Sequence, residues 1–107
     1  MPKKQTFSNN PTALKRRFGA TVRRYRQRLG ISQEELAWRA EMHRTYLADV
    51  ERGVRNLSLS SMTRLVEAID VSLSAFFATL ESIELPPANG NGRRRALAKN
   101  GRGSSSR

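Results

Sequence analysis

Apolar residues begin to recur at helical spacing at Leu14. Leu14, Phe18, Val22, Tyr25 and Leu29 fall every three or four positions, while Lys15, Arg16, Arg17, Arg23, Arg24 and Arg28 occupy the other faces. Gly30 supplies the stop. Ser32 followed three residues later by Glu35 is a capping-box signature, and behind it Leu36, Ala37 and Ala40 make a short apolar face. A third helix is predicted from His43 or Arg44 to Arg52, with Leu47 and Val50 inward and Gly53 as its left-handed terminator. Ser58 caps a fourth, whose inward stripe is Leu59, Met62, Leu65, Val66 and Ile69. Ser72 caps a fifth carrying Leu73, Phe76, Phe77, Leu80 and Ile83, until Pro86 and Pro87 end it.

The fold class is therefore all-α, a compact five-helix domain over residues 13–85. Residues 1–12 hold no periodic apolar pattern, and Asn9, Asn10 and Pro11 read as an extended lead-in to a flexible arm. Residues 86–107 run through Ala88-Asn89-Gly90-Asn91-Gly92 and Arg93-Arg94-Arg95 into a Gly/Ser/Arg end, a composition unable to bury a core, and are expected to be a disordered basic tail.

Composition narrows the chemistry. With no cysteine and one histidine in 107 residues, disulfides and thiolate zinc sites are excluded, and no cofactor or metal is expected. The polar start lacks the apolar core of a signal peptide, and no stretch approaches membrane-spanning length, so a cytoplasmic, nucleoid-associated protein without membrane contact is expected. No paired carboxylates, nucleophile with base or phosphate loop can be assembled, which argues against an enzyme. Twenty Lys and Arg against nine Asp and Glu leave a formal charge of +11, which favours a polyanionic partner through counterion release. About half of that excess lies outside residues 14–80, where twelve basic side chains face seven acidic ones.

The second and third predicted helices are short, and a connection of about three residues forces them to cross steeply, as in the helix-turn-helix. In the twenty-residue window opening at Gln33, the fifth position is Ala37, small enough for a close crossing. The fourth, eighth, tenth, fifteenth and eighteenth are Leu36, Ala40, Met42, Leu47 and Val50, the set that must face the core. The segments Ser32-Gln33-Glu34-Glu35-Leu36-Ala37, Arg44-Thr45-Tyr46-Leu47-Ala48-Asp49-Val50-Glu51-Arg52-Gly53 and Val71-Ser72-Leu73-Ser74-Ala75-Phe76-Phe77 resemble the lambda-repressor-like, Xre-type regulators. Helix-turn-helix repressors of that group lay the second helix of the motif in the major groove. Arg44-Thr45-Tyr46 through Arg55-Asn56-Leu57-Ser58 is also similar to the controller proteins of restriction-modification systems. The resemblance spans residues 14–80.

It implies a sequence-specific transcription regulator of duplex DNA, with the third helix in the major groove. Arg44 matches the base-reading position and suits guanine O6 and N7; Thr45 offers a hydroxyl to a base or a methyl to thymine. Asp49 is placed either to accept from cytosine N4 or to orient Arg44 or Arg52. Backbone contacts are expected from Gln33, Tyr46, Arg55, Asn56 and Ser61, with His43 near phosphates. Arg26 and Glu51 match a structural ion pair. Two positions depart from the family: Glu41 stands where Gly or Asn often makes the turn, and His43 where Asp, Ser or Thr usually caps the reading helix.

A homodimer is expected through the fifth helix. Leu73 and one phenylalanine suffice to close the core, leaving the other of Phe76 and Phe77 with Leu80 and Ile83 on an uncovered face. Other readings are an antitoxin that represses a toxin operon and, from another class, a nonspecific nucleic-acid coat or RNA binder; contacts to RNA polymerase or a toxin are compatible with either regulator.

Overall fold

A computed structural model of the chain describes residues 10–85; both expected tails lie largely outside them. Five helices follow in order: α1 Pro11–Leu29, α2 Gln33–Arg39, α3 Arg44–Arg52, α4 Leu59–Ala68 and α5 Leu73–Ser82, with no strand among the described residues.

The helix starts are written in small polar side chains. Ser32, Ser58 and Ser72 each sit in extended backbone and accept from the N–H three residues on, at 3.0, 3.1 and 3.1 Å, which satisfies one of the donors that a helix start leaves orphaned. Glu35 does not complete the capping box; its carboxylate takes Arg39 at 3.0 Å, one turn on. The expected lead-in at Pro11 is corrected in the same terms. Asn10 Oδ1 accepts from Thr12 and Ala13 N–H, and Pro11 occupies the first helical position, where its missing donor costs nothing. The helix thus starts one turn before the apolar pattern does.

α1 and α3 pack closely enough that a Cβ on Gly19 would overlap the Val50 carbonyl oxygen. Around this contact the core gathers Phe18 and Val22 of α1, Leu36 and Ala37 of α2, and Leu47 and Val50 of α3. Leu65, Val66 and Ile69 close it from α4, and Phe76 and Leu80 from α5, with the rings of Phe18 and Phe76 4.9 Å apart. Thr21 is fully buried without penalty because its hydroxyl donates to the Arg17 carbonyl at 2.7 Å.

Four expected inward residues lie outside. Leu59 is 78% exposed, and Leu14, Leu29 and Leu73 are 40–50% exposed. Leu14 and Leu59 stand in the first turns of their helices and Leu29 ends its own, where the stripe overruns the neighbouring helix.

The proposed split of α5 is also overturned. Phe76, Leu80 and Ile83 fall at i, i+4 and i+7, and this whole stripe turns inward; all three are buried within the protomer and unavailable as a dimer face. Arg17 fixes the arrangement, its Nη1 donating to the carbonyls of Ile83 at 2.7 Å and Leu80 at 3.4 Å. Tyr25 hydroxyl and Thr79 Oγ1 add a 2.8 Å bond between the same helices. Of the four interface residues read from the sequence, only Phe77 remains exposed, on the adjacent stripe with Leu73.

Candidate nucleic-acid interface

α3 is held at its C-terminal end and open at the other. Arg26 Nε donates to Glu51 Oε2 at 2.7 Å and its Nη2 to Oε1 at 3.0 Å, a two-pronged pair that shows little surface. The hydrogen bonds it donates to Glu51 raise the Arg26 pKa above its ordinary value, against the lowering effect of burial; the carboxylate's charge adds to the rise. Arg26 Nη1 also donates to the Ile31 carbonyl at 3.0 Å, and Gln33 Nε2 to Glu51 Oε1 at 3.0 Å. One carboxylate therefore ties the end of α1, the start of α2 and the end of α3 together. Gln33, read from the sequence as a backbone contact, spends its side-chain amide on this cluster.

Between α2 and α3 the turn keeps the left-handed residue that the motif needs. Glu41 takes φ 58°, at a cost of about 1 kcal/mol or more for a residue with a side chain, and Met42 N–H closes the turn on the Ala37 carbonyl at 2.9 Å. Arg64 Nε supports it by donating to the Ala40 carbonyl at 3.2 Å. His43 occupies the cap position of α3 with extended backbone but makes no side-chain cap bond.

Beyond it Arg44 and Thr45 are exposed, with no intramolecular partner among the described residues. Tyr46 is half-buried, its ring covered by the Arg55 guanidinium 4.8 Å from the centroid. Asp49 accepts from Arg52 Nη2 at 2.6 Å and has Arg55 Nη2 at 3.4 Å, so it orients those two arginines rather than Arg44. Asn56 lies exposed beside Arg55 in the loop to α4. Ser61 is corrected: it is buried, and its hydroxyl accepts from Ser58 Oγ at 3.1 Å inside the α4 cap.

Sequence reading missed the arginine that fastens α5, Arg17, because an arginine beside apolar positions gives no sign of bending inward. It also missed Gly19, although a glycine in mid-helix is itself a signal of close backbone approach. No group of three metal-ligating side chains occurs among the described residues, nor a helix long and apolar enough to cross a membrane.

A helix-turn-helix family model matches residues 22–76, the span from mid-α1 into α5. The chain belongs to the Xre-type helix-turn-helix family. It is similar to the control protein C.BamHI of Bacillus amyloliquefaciens, 44% identical over 55 residues that cover 50% of this chain and 68% of that one. Control protein C.MunI of a Mycoplasma species is 32% identical over 69 residues, covering 64% of this chain and 93% of its own. Among solved structures, the wild-type restriction-modification controller protein C.Esp1396I superposes with a TM-score of 0.60 at 31% identity, over 63% of this chain and 87% of that one. Controller protein C.AhdI of Aeromonas hydrophila gives 0.57 at 38% identity, over 59% and 96%.

Proposed function

We propose that this helix-turn-helix chain is a sequence-specific duplex DNA-binding regulator of the restriction-modification controller type, acting as a homodimer that reads half-sites with α3. The observation that carries this reading is the exposed, unpartnered Arg44-Thr45 pair at the start of a helix whose far end is locked. Such a pair presents a fork of donors and a hydroxyl to base edges without further rearrangement. Solved forms of the similar C.Esp1396I include one on a 25 base-pair operator site and a tetramer on its natural 35 base-pair operator. Others substitute an arginine, a threonine and a tyrosine at three consecutive positions, and Arg44-Thr45-Tyr46 is such a triplet here.

Tyr46, Arg55 and Asn56 then serve backbone phosphates, with His43 lying near them. Arg52 and Arg55, braced on Asp49, add charge along the same edge. The second copy docks on the apolar edge left by the corrected packing: Phe77 and Leu14 flank a groove of about 240 Å³, floored in part by Met62 and Leu57, and Leu73 stands one turn from Phe77. Two such edges covering each other give two-fold symmetry and a near-palindromic operator, with half-sites about 34 Å apart.

Selection of bound duplexes from a random pool, read by sequencing, tests both parts. A symmetric site with that spacing is the expected result. Binding indifferent to sequence, or a protein that sediments as a monomer on its selected site, would overturn the reading.

A further inference from the structure

Asp49 stands where an acid is least expected on a surface proposed to meet DNA. Thr45, Asp49 and Arg52 fall at i, i+4 and i+7 along α3, so they share one stripe, and that stripe starts at a proposed reader. A carboxylate there repels the phosphates that the surrounding arginines attract. It is not free to read a base either. Oδ1 accepts from Arg52 Nη2 at 2.6 Å, and Oδ2 faces Arg55 Nη2 at 3.4 Å.

The two arginines are held differently. Arg52 lies one turn further along the same helix, and such an exposed pair adds little by itself. Arg55 comes from the loop beyond Gly53 and rests on two supports: the Asp49 carboxylate at its edge and the Tyr46 ring beneath it, 4.8 Å away at the centroid. Both supports belong to α3, three residues apart, so together they fasten the start of that loop along the flank of the reading helix. Charge and stacking do this without consuming hydrogen bonds. Arg55 donates none to another described residue, and its donors stay available to a phosphate. Ordering a long side chain at the moment of binding costs affinity, and one held beforehand avoids that cost. A freed guanidinium, in contrast, follows the backbone of any duplex in any register.

We infer that Asp49 is a positioning residue that sets specificity: it holds Arg55 on Tyr46 in the pose that meets the backbone when α3 lies over its own half-site, and its charge offsets both arginines on any other stretch of DNA. The inference rests on the reading of the chain as a sequence-specific duplex binder. It separates two effects that a plain change of charge would move together. Without the carboxylate, operator binding weakens because Arg55 loses its pose, while binding to random duplex does not weaken, because two released cations meet phosphates there.

Affinities of the wild type, Asp49→Ala, Arg55→Ala and the double variant are measured by fluorescence anisotropy, on the selected operator, its single-base variants and a random duplex of equal length. Asp49 lies outside the core and alanine favours helix, so Asp49→Ala should melt like the wild type. Asp49→Asn, of equal size and without the charge, should bind as Asp49→Ala does and guards against a packing effect. Asp49→Ala should bind the operator about tenfold more weakly, and random duplex as well as the wild type or up to about threefold more tightly. In the Arg55→Ala background, removing Asp49 should bring no further loss on the operator. Operator binding that is unchanged or tighter in Asp49→Ala would overturn the inference and leave the carboxylate an electrostatic brake. So would random-duplex binding that weakens alongside, or an operator loss that persists undiminished without Arg55. A loss confined to one base pair, with the ranking of the other single-base variants intact, would overturn it by making Asp49 a direct reader. A wild type that prefers no sequence refutes the proposed function itself, whereas a preference that Asp49→Ala keeps in full refutes only this inference.

Discussion

The two ends of α3 are built on opposite principles. At the C-terminal end Glu51 accepts three hydrogen bonds, Gly53 turns the chain at φ 81°, and Val50 packs under Gly19. At the N-terminal end, eight residues away, His43 caps nothing, and Arg44 and Thr45 touch no partner. A polar group committed internally is held for the fold, whereas one left open in a rigid frame is pre-organised for a ligand. The difference sorts internally committed residues from open ones more sharply than residue type does, since arginine stands at both ends, Arg26 in the lock and Arg44 in the open.

The largest expected effect is at the locked end. Glu51→Ala leaves Arg26 partly buried without its partner and should cost about 3 kcal/mol, read as a lowered midpoint in chemical denaturation. Loss of less than about 1 kcal/mol would show that water replaces the carboxylate and that the lock is weak. Gly19→Ala comes next. Alanine gains about 1 kcal/mol of helix propensity, but its methyl meets the Val50 carbonyl, which is backbone and cannot rotate away, so a net loss of about 1–3 kcal/mol is expected. A stabilised variant would mean that α1 and α3 slide apart freely.

These two positions also mark what the sequence disclosed. The five helices, their serine caps and their glycine stops were legible because each is a local signal, and Leu36, Leu47, Val50 and Leu65 were placed inward by period alone. Period gives a face and not its depth. Leu59 lies on a correctly drawn stripe yet stands in solvent, at the start of its helix, and Leu73 falls on the neighbouring, exposed stripe of α5 with Phe77. The dimer face was misread for a related reason: which of two adjacent stripes on α5 turns inward depends on Arg17 reaching the end of that helix, a contact across 63 to 66 residues. At the candidate site, exposure could not be foreseen for Ser61 or partnership for Gln33, since both depend on tertiary neighbours.

At the open end, stability and recognition should separate. Arg44→Ala removes no internal contact, so unfolding should change by less than about 0.5 kcal/mol. Discrimination at one base position of each half-site should fall by about 1–3 kcal/mol, measured against single-base variants of the selected operator. A variant that keeps the full wild-type ranking would remove Arg44 from the reading set.

The smallest effect is at His43, and it sharpens the contrast because it repairs the open end without touching the readers. The backbone of His43 already has cap geometry, at φ −69° and ψ 143°, with the first-turn N–H groups of α3 awaiting an acceptor. Serine or aspartate there should each add about 0.5–1 kcal/mol of stability. Their effects on DNA should part. Serine is neutral, so His43→Ser should bind the operator about as well as the wild type, whereas His43→Asp sets a negative charge where a phosphate is proposed to lie and should weaken binding most at low salt. Equal binding by the two capped variants would place position 43 outside the phosphate path, and weakened binding by both would mean that the imidazole itself makes the contact.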